Sequence, residues 1–391
     1  MKILTFSTLF PNIVRPNHGV FVETRLRHLV ASGEVSARVL APIPWFPSTH
    51  PRFGGYAKFA RAPRAEIRFG LQVDHPRYFL PPKIGMNAAP LLLALSAKRA
   101  IQKMLAAGDD FDLIDAHYFY PDGVAAVLLG RWFNKPVVIT ARGTDINLIP
   151  QHTVPRKMIL WAARHAAGMI TVCQALKDAI VALGVPPERI VALRNGVDLK
   201  LFQPVEREAE RACFNLSRRT LLSVGYLIPR KGHDLIIRAL PILPDTDLLI
   251  AGEGPDKALL TALAAELGVA DRVRLIGAVP QAELRRYYGA VDALVLASSR
   301  EGWANVLLEA MACGTPVVAS NVWGTPEVVA APEAGVLMPT LTPEGVTAGV
   351  NTLFANYPEH SATRRYAEQF SWDDTTAGQI KLFRTILARQ T

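Results

Sequence analysis

The stretch REGWANVLLEAMACGTPVVAS, residues 300–320, places two glutamates in a largely apolar segment. Asn305 is typical of a helix N-cap, and the residues after it predict a short helix over 306–313 that ends at Gly314. The run VVAS, residues 317–320, then predicts a buried strand.

Both glutamates lie near the start of this predicted helix, Glu301 in the loop before it and Glu309 about one turn inside it. A buried carboxylate is costly unless another group pairs with it, so both side chains need partners. The start of a helix offers free backbone N–H groups and a partial positive charge, which together favour phosphate. A charge complement to the helix, with one solvated loop glutamate, explains the pattern equally well, and both interpretations stay open here.

Composition narrows the class of protein. The chain has 391 residues, enough for two or three ordinary domains, and half of them are hydrophobic. The longest apolar stretches, such as residues 89–97, are too short to span a bilayer, and the first residues are more typical of a buried strand than of a signal peptide. Cys173, Cys213 and Cys313 lie far apart without metal-ligand spacing, which predicts a reduced cytoplasmic protein.

The net charge of +9 is unevenly distributed along the chain. Residues 1–200 contain 25 Lys and Arg against 13 Asp and Glu, whereas residues 201–391 contain 18 against 21. A strongly basic first half predicts an anionic surface or acceptor that faces it. A basic protein without such a partner would have the same composition, so charge alone leaves both possibilities open.

Apolar strands alternate with amphipathic helices along the chain, which predicts an α/β fold with parallel sheets. A first series of strands is indicated at residues 2–10, 37–43, 111–117, 136–141, 168–172 and 189–193. After a charged stretch, a second series is indicated at residues 220–225, 247–252, 273–278, 293–298 and 317–320. We therefore place a domain boundary near residue 205.

Chemically active residues gather where these predicted strands end. They are found in PNHGV (16–20), at His117, in RGTD (142–145), in GYLIPRKG (225–232) and in SSREGW (298–303). Open parallel sheets bind ligands at the carboxyl ends of their strands. This grouping of Gly, Arg, Lys, His and Glu therefore favours a phosphorylated ligand in a cleft between two sheets.

The two glutamates within EGWANVLLEAMACGTPVV (301–318) resemble the E-x7-E signature of the retaining nucleotide-sugar glycosyltransferases of family 4. Other segments resemble the same family in the expected order, namely RNGVD (194–198), SVGYLIPRKGHDLIIRAL (223–240) and FSWDDTTAGQIKLFRTIL (370–387). The resemblance spans nearly the whole chain.

The resemblance implies the GT-B architecture, an α/β fold in which two Rossmann-like domains with parallel sheets face each other across a cleft. Residues 1–204 would form the N-terminal acceptor domain, and residues 205–372 the C-terminal nucleotide-sugar donor domain. A C-terminal helix, residues 373–391, would pack back on the first domain.

The catalytic group that the resemblance implies consists of His117, Arg230, Lys231 and Glu301. Arg230 and Lys231 would neutralise the diphosphate leaving group. Glu301 would hold hydroxyls of the transferred sugar and help to place its anomeric carbon. His117 would lie beside the sugar, near its primary hydroxyl, although a histidine at a strand end is often purely structural.

The implied donor-binding group consists of Gly19, Gly225, Asn305, Val306 and Glu309. Glu309 would accept the two ribose hydroxyls, because a carboxylate has two acceptor oxygens. Gly19 would let the first loop approach the phosphates without a Cβ clash, and Gly225 would open the diphosphate loop. Backbone amides at Asn305 and Val306 would donate to ligand oxygens.

Arg142 and Asp145 are candidates for acceptor binding, and an internal ion pair that shapes their loop is an equally good interpretation. Two positions differ from the common family pattern. Tyr226 stands where the family often has Arg, so Arg230 would supply the guanidinium from a shifted position. Arg142 stands where a His is common.

The implied reaction is transfer of a sugar from a nucleotide-diphosphate sugar, with UDP as the default, with retention of configuration and without a metal or other cofactor. The motifs DFD (110–112) and DTD (245–247) mimic a metal-binding D-x-D, but both precede strands and are interpreted as turns. The expected acceptor is lipid-linked or a polysaccharide intermediate, and no nucleic acid partner is expected. Alternatives are a soluble small-molecule acceptor, an epimerase of the same architecture, and a non-catalytic nucleotide-binding module.

Residues 50–85 contain seven Lys and Arg against two Asp and Glu, interleaved with Phe and Tyr. This pattern predicts contact with an anionic lipid surface or a lipid-diphosphate acceptor. The protein would then be cytoplasmic and peripheral on the inner face of the cell membrane. An extended surface loop is the alternative interpretation of the segment.

Overall fold

A computed structural model describes residues 1–80 and 85–389. The chain forms two compact units, one made of Met1–Arg194 with Asp373–Thr391 and the other of Asn195–Trp372. Residues 81–84 of the expected lipid-contact segment, and the last two residues of the expected C-terminal helix, lie outside the described residues. In the described ranges, no helix has both the length and the apolar character needed to cross a bilayer.

The first unit contains a largely parallel sheet. The strands of this unit are β1 (Lys2–Phe6), β2 (Ser36–Leu40), β3 (Ile43–Pro44), β4 (Ala65–Arg68), β5 (Leu71–Asp74), β6 (Arg77–Tyr78), β7 (Leu113–His117), β8 (Val137–Ala141), β9 (Gly168–Thr171) and β10 (Ile190–Ala192). The sheet has the order β10-β9-β8-β7-β1-β2-β5-β4, with β4 antiparallel to β5, while β3 pairs with β6. The order reverses between β1 and β7, because the chain continues from β1 to one side and from β7 to the other.

Helices cover both faces of this sheet. They are α1 (Val20–Ala31), α2 (Gly55–Arg61), α3 (Gly85–Ala106), α4 (Val124–Phe133), α5 (Thr144–Asn147), α6 (Thr153–His165) and α7 (Gln174–Ala182). Every residue of β7, β8 and β9 is buried. Since successive side chains of a strand point to opposite faces, complete burial requires cover on both sides.

The second unit contains a parallel sheet of strands β11 (Arg219–Val224), β12 (Thr246–Ala251), β13 (Val273–Gly277), β14 (Ala293–Leu296), β15 (Val317–Ser320) and β16 (Gly335–Met338). Its helices are α8 (Arg207–Cys213), α9 (His233–Ala239), α10 (Lys257–Glu266), α11 (Gln281–Ala290), α12 (Asn305–Ala312), α13 (Thr325–Val328), α14 (Pro343–Ala355) and α15 (His360–Glu368). The strand order β13-β12-β11-β14-β15-β16 reverses between β11 and β14. This is the doubly wound order in which ligands bind at the reversal point.

The division between the units falls ten residues before the predicted boundary. Residues 195–204 belong to the second unit because they pack on it: the backbone N–H of Val197 donates to the Phe370 carbonyl at 2.9 Å. The Phe202 ring also meets the edge of Tyr288, with ring centroids 6.0 Å apart. The last helix, α16 (Trp372–Leu387), contributes to the core of the first unit.

The strand series predicted from apolar runs is observed in both units, although β1 ends at Phe6 rather than at residue 10. The interpretation of residues 50–85 as an extended surface loop is wrong for the described part. It contains α2 and the antiparallel pair of β4 and β5. The edge strand β16 was not predicted.

Candidate active site

Two loops of the second unit meet where its strand order reverses. The loop after β11 carries Arg230 and Lys231, and the loop after β14 carries Glu301. A backbone bond joins them, from the N–H of Ser299 to the carbonyl of Arg230 at 2.9 Å. The fold therefore brings together three of the four predicted catalytic residues. Glu301 contacts Arg230 and Lys231, although it lies about seventy positions after them in the sequence.

Lys231 and Glu301 form a close ion pair, with 2.6 Å between Lys231 Nζ and Glu301 Oε1. Arg230 Nη1 lies 3.5 Å from the same oxygen and donates to the Arg300 carbonyl at 2.7 Å. The Glu301 side chain is only 11% exposed, so water screens these charges weakly. Two cations face one carboxylate, which leaves a net positive charge for an anionic ligand.

The protonation state of Glu301 follows from these contacts. Burial by itself would raise its pKa, but the ion pair with Lys231 and the charge of Arg230 outweigh burial and lower the pKa below its ordinary value. Glu301 is therefore ionised at neutral pH. An ionised carboxylate accepts hydrogen bonds only, as binding of sugar hydroxyls requires.

Gly232 allows the loop after β11 to lie against Ala297, the residue that follows β14. Its φ is +67°, and a Cβ atom there would lie 2.1 Å from the carbonyl oxygen of Ala297. At Gly225, by contrast, a Cβ atom would make ordinary contacts with the Lys231 side chain, the nearest at 3.4 Å. Tyr226, at the position where Arg is common, is 59% exposed.

Glu309 is held by two neighbours inside the second unit. Tyr288 Oη donates to its Oε2 at 2.9 Å, and Gln281 Nε2 donates to its Oε1 at 3.3 Å. Burial raises the pKa of Glu309, and these two hydrogen bonds oppose that rise. A carboxylate has about four lone-pair positions, so acceptor capacity remains for ligand hydroxyls.

The prediction of Asn305 as N-cap is wrong by one residue. Ala304 is the N-cap, Asn305 is the first residue of α12, and Cys313 follows the helix. The backbone N–H of Asn305 donates to the Trp303 carbonyl at 3.1 Å, so this predicted ligand donor is already engaged. The side-chain oxygen of Asn305 accepts from Asn195 Nδ2 at 3.3 Å, which ties the start of α12 to the beginning of the unit.

In the first unit, His117 ends strand β7 and lies between two charged groups. Its Nε2 is 3.1 Å from Asp115 Oδ2, and its Nδ1 is 2.5 Å from Arg142 Nη2. Burial lowers the pKa of His117 to about 4, partly offset by Asp115, so the imidazole is neutral at physiological pH. Because a guanidinium only donates, Nδ1 accepts from Arg142 and Nε2 carries the proton. Both ring nitrogens are thus bound by protein groups, and the role of His117 beside the sugar stays a prediction.

Asp145 shapes the loop that follows β8. Its carboxylate accepts the backbone N–H groups of Gly143 at 2.7 Å, Phe119 at 2.6 Å and Arg142 at 3.1 Å. The Asp145 side chain is fully buried. These bonds indicate that Asp145 fixes the conformation of the loop. The Arg142 guanidinium bonds to His117 instead. Acceptor binding by either residue stays a prediction.

At Gly19, both the backbone conformation and the close packing against Leu9 require a glycine. Its φ is +73°, and a Cβ atom would lie 2.3 Å from the Leu9 carbonyl oxygen. It caps the start of α1, where the loop after β1 folds back on itself. The predicted approach of this glycine to ligand phosphates stays a prediction.

Sequence reasoning missed residues that hold the predicted ones, among them Asp115, Gln281, Tyr288 and Gln379. Asp115 lies two positions before His117. Side chains alternate between the two faces of a strand, so this spacing already placed Asp115 on the same face as His117. Gln379 Nε2 donates to Asp115 Oδ2 at 3.0 Å, but these residues lie 264 positions apart. No local pattern marks Gln379 or Tyr288.

Across the described residues, no group of three or more His, Cys, Asp and Glu side chains is arranged to hold a metal ion. Asp110 of the DFD motif lies 2.8 Å from Lys135 Nζ. Asp247 of the DTD motif lies 3.9 Å from Arg218.

Comparison with known families matches most of the chain in two parts. Residues 50–201 match Glycosyltransferase Family 4, and residues 205–370 match Glycosyl transferases group 1. The chain is 30% identical to the putative teichuronic acid biosynthesis glycosyltransferase TuaC of Bacillus subtilis, over 83% of this chain and 82% of TuaC. It is 36% identical to a D-inositol 3-phosphate glycosyltransferase of Segniliparus rotundus, over 51% of this chain and about half (48%) of that relative.

Solved structures share the fold over nearly the full length. Sucrose-phosphate synthase from Thermosynechococcus elongatus has a TM-score of 0.81 at 20% identity and covers 99% of both chains. HepE from Anabaena, in complex with UDP-glucose, has a TM-score of 0.71 at 18% identity and covers 100% of this chain and 99% of its own. Together with the two parallel-sheet units, these matches show that the chain belongs to the family 4 glycosyltransferases and has the GT-B fold.

Proposed function

We propose that this glycosyltransferase moves a sugar from a nucleotide-diphosphate sugar, with UDP as the nucleotide, to an acceptor hydroxyl with retention of configuration. The observation that carries the proposal is the contact of Lys231 and Arg230 with Glu301 at the reversal point of the second sheet. Two cations suit a diphosphate, and an ionised carboxylate beside them suits sugar hydroxyls. The complex of HepE with UDP-glucose supports UDP as the nucleotide.

In the proposed reaction, the bond between the anomeric carbon and the diphosphate oxygen breaks, and negative charge grows on the diphosphate. Arg230 and Lys231 stabilise this charge more strongly in the transition state than before it. The acceptor oxygen forms its bond on the face that the diphosphate leaves, and a diphosphate oxygen takes the acceptor's proton. Glu301 holds sugar hydroxyls, and Glu309 holds the ribose.

The proposal is tested first by binding and then by turnover. A panel of nucleotide sugars is screened for thermal stabilisation, since a ligand that binds only the folded state raises its stability. The best donor is then incubated with and without candidate acceptors, and the product's anomeric configuration is determined by NMR. Inversion would contradict retention, and an epimerised donor without any acceptor would identify the alternative enzyme class.

We further propose that turnover needs no divalent metal, because Arg230 and Lys231 meet the charge of the diphosphate. The transfer rate is measured before and after exhaustive chelation. Lys231→Ala is the test variant. Lys257→Ala, on the exposed start of α10, is the control, because it also removes one lysine. We expect chelation to leave the wild-type rate unchanged and Lys231→Ala to lower it. Loss of activity that manganese or magnesium restores would show that the charge balance is different.

We also propose that the acceptor is lipid-linked or a polysaccharide intermediate, and that the first unit attaches peripherally to an anionic, inner membrane surface. The support lies in residues 46–64, here called the basic aromatic segment. Tyr56 is 63% exposed and stacks on Phe46 with ring centroids 5.4 Å apart. The exposed cations of this segment are Arg52, Lys58, Arg61 and Arg64.

Two other basic residues of the 50–85 stretch have internal partners. Arg68 donates to Glu23 at 2.6 Å, and Arg77 donates to the Phe59 carbonyl at 3.0 Å. Both side chains are also only partly exposed, so their charges are less available to a lipid surface than those of the basic aromatic segment, where Arg61 bonds to the Thr49 carbonyl but stays exposed. A soluble small-molecule acceptor is the rival, and for it the exposed cations would be incidental.

A further inference from the structure

A buried chain of hydrogen bonds in the first unit connects helix α16 to His117. Arg25 Nε donates to Gln379 Oε1 at 2.8 Å, and Gln379 Nε2 donates to Asp115 Oδ2 at 3.0 Å. The same Asp115 oxygen contacts His117 Nε2 at 3.1 Å, and His117 Nδ1 faces Arg142. We propose that Gln379 is a positioning residue, which acts through Asp115 to hold the His117 imidazole in one tautomer and one orientation.

The chain of contacts is almost completely shielded from water. Arg25, Gln379 and His117 are each 1% exposed, Asp115 is 0% exposed and Arg142 is 8% exposed. In such surroundings, a polar group without a partner is costly, and hydrogen bonds are strengthened. Each member therefore has a strong reason to keep its partner, and the five side chains are expected to behave as one rigid assembly.

The side chains of this assembly can satisfy one another as donors and acceptors in only one way, which fixes the atoms that carry protons. Both ends are arginines, which only donate. Donation by Arg25 requires the oxygen of the Gln379 amide, so its NH2 group points to Asp115. The Asp115 carboxylate accepts, so His117 Nε2 carries the proton and Nδ1 accepts from Arg142.

Reversal of the Gln379 amide would break both of its bonds at once. Its NH2 group would face the Arg25 guanidinium, and its oxygen would face the Asp115 carboxylate. The Gln379 amide therefore connects the Arg25 guanidinium, which can only donate, to the Asp115 carboxylate, which can only accept. A leucine of similar size would fill the space but join neither neighbour.

Other charged groups near His117 agree with this arrangement. Arg25 Nη1 also donates to the Leu193 carbonyl at 3.2 Å, and Asp145 holds the backbone on which Arg142 lies. The two arginines oppose protonation of the imidazole and Asp115 favours it, while burial is the chief cause of the lowering of the pKa of His117 to about 4. Protonation of Nδ1 would also expel Arg142.

The inference rests on the proposed function, because the orientation of His117 matters to turnover only if this residue touches the substrate. His117 lies at the carboxyl end of β7, at the reversal point of the first sheet, where parallel sheets bind ligands. A displacement of about 1 Å in a catalytic site can lower a rate by roughly a hundredfold. A distant glutamine can therefore affect the rate without touching the substrate.

The sharpest test changes each neighbour in turn, with Gln379→Glu and Asp115→Asn. Gln379→Glu places a second carboxylate against Asp115 Oδ2. Asp115→Asn removes the charge that accepts from both Gln379 Nε2 and His117 Nε2. We expect each variant to lower kcat by about tenfold or more with donor KM unchanged.

The second readout is nitrogen NMR of labelled histidine, which reports the tautomer of His117 independently of activity. We expect the wild type to keep the Nε2–H tautomer over about pH 5 to 8, and Gln379→Glu to lose it as the second carboxylate favours the imidazolium. Lys381→Leu, on the exposed face of α16, is the control and should change neither readout. Gln379→Leu covers the case in which Gln379→Glu does not fold.

An unchanged His117 spectrum and kcat in folded Gln379→Glu or Gln379→Leu would overturn the inference. So would a folded Gln379→Glu with lowered kcat whose His117 spectrum matches that of the wild type. If the wild type transfers no sugar, the proposed function fails. The tautomer measurement then still decides whether Gln379 positions His117.

Discussion

Glu301 and Glu309 show how two carboxylates of one short segment acquire different properties from their neighbours. Lys231 and Arg230 lower the pKa of Glu301 despite its burial, whereas burial raises the pKa of Glu309 despite its bonds to Tyr288 and Gln281. Glu301 is therefore firmly ionised beside the proposed diphosphate site. Burial disfavours the charged form of Glu309, and hydrogen bonds from a ligand's hydroxyls would stabilise that form.

We expect Glu309→Ala to weaken UDP binding and Glu301→Ala mainly to lower turnover. Loss of a hydrogen bond to a charged group costs about 1.5–3 kcal/mol, which corresponds to roughly ten- to a hundredfold. Calorimetric titration with UDP and the transfer rate measure the two effects. Glu266→Ala, at the exposed end of α10, is the control and should change neither. Wild-type affinity in Glu309→Ala would remove Glu309 from the nucleotide site.

Glu309 should also reduce stability at neutral pH. Its pKa in the folded state is raised above the ordinary 4.5, so the folded state binds this proton more tightly than the unfolded state does. Its contribution to stability is therefore fully present below pH 4.5 and is lost as the pH rises through the folded-state pKa. We expect Glu309→Gln to have a higher Tm than the wild type at neutral pH.

The pH dependence of this difference in Tm serves as the control. The difference in Tm between Glu309→Gln and the wild type should shrink as the pH falls toward the ordinary pKa of a glutamate, because both side chains are then neutral. Glu266→Gln should show no such pH-dependent difference. A Glu309→Gln variant less stable than the wild type at neutral pH would mean that Tyr288 and Gln281 outweigh burial.

At the scale of elements, the site depends on the close approach of the loop after β11 to the end of β14. Gly232 and Gly268 allow this to be tested, because they have nearly the same φ, +67° and +66°. A Cβ atom at Gly232 would strike the Ala297 carbonyl oxygen, whereas at Gly268 nothing lies within 4 Å. The two glycines therefore differ in packing but not in backbone conformation.

We expect Gly268→Ala to cost only the backbone strain, roughly 1–2 kcal/mol of unfolding free energy, with donor binding intact. Gly232→Ala should cost more and weaken donor binding, because the loop that carries Arg230 and Lys231 must move away from Ala297. Denaturant unfolding and UDP titration measure both effects. Equal losses in the two variants would show that the close approach does not matter.

Local patterns predicted the central strands and the two glutamates, but not the groups that support them. Strands β7 and β8 were predictable because both of their faces are buried, which gives continuous apolar runs. The hairpin of β4 and β5 was not, because its edge position leaves charged residues such as Arg68 on the strand. Tyr288 and Gln379 act at positions that only the tertiary fold brings close, so no local spacing marks them.

At the scale of the whole molecule, the excess positive charge lies in the first half of the chain, and we expect it to bind anionic vesicles. Each basic residue near an anionic leaflet contributes about 1 kcal/mol, so several cations of the basic aromatic segment together give reversible attachment. Salt should weaken it by screening. Cosedimentation with anionic and neutral vesicles at low and high salt measures it.

A charge-reversed variant locates the contact, with glutamate at Arg52, Lys58, Arg61 and Arg64. Its matched control reverses the same number of exposed cations in the second unit, at Arg218, Arg238, Lys257 and Arg365. We expect only the first variant to lose attachment. Equal binding by both variants, or none by the wild type, would rule out the basic aromatic segment as the membrane contact.

The first unit is assembled from two parts of the chain that the whole second unit separates in sequence. At ribosomal rates of 5–20 residues per second, roughly ten to forty seconds pass between the synthesis of Arg194 and that of Gln379. Throughout this interval the nascent chain contains Arg25 and Asp115 without the amide that joins them. The second unit is therefore synthesised in full before the polar interior of the first unit receives its last helix.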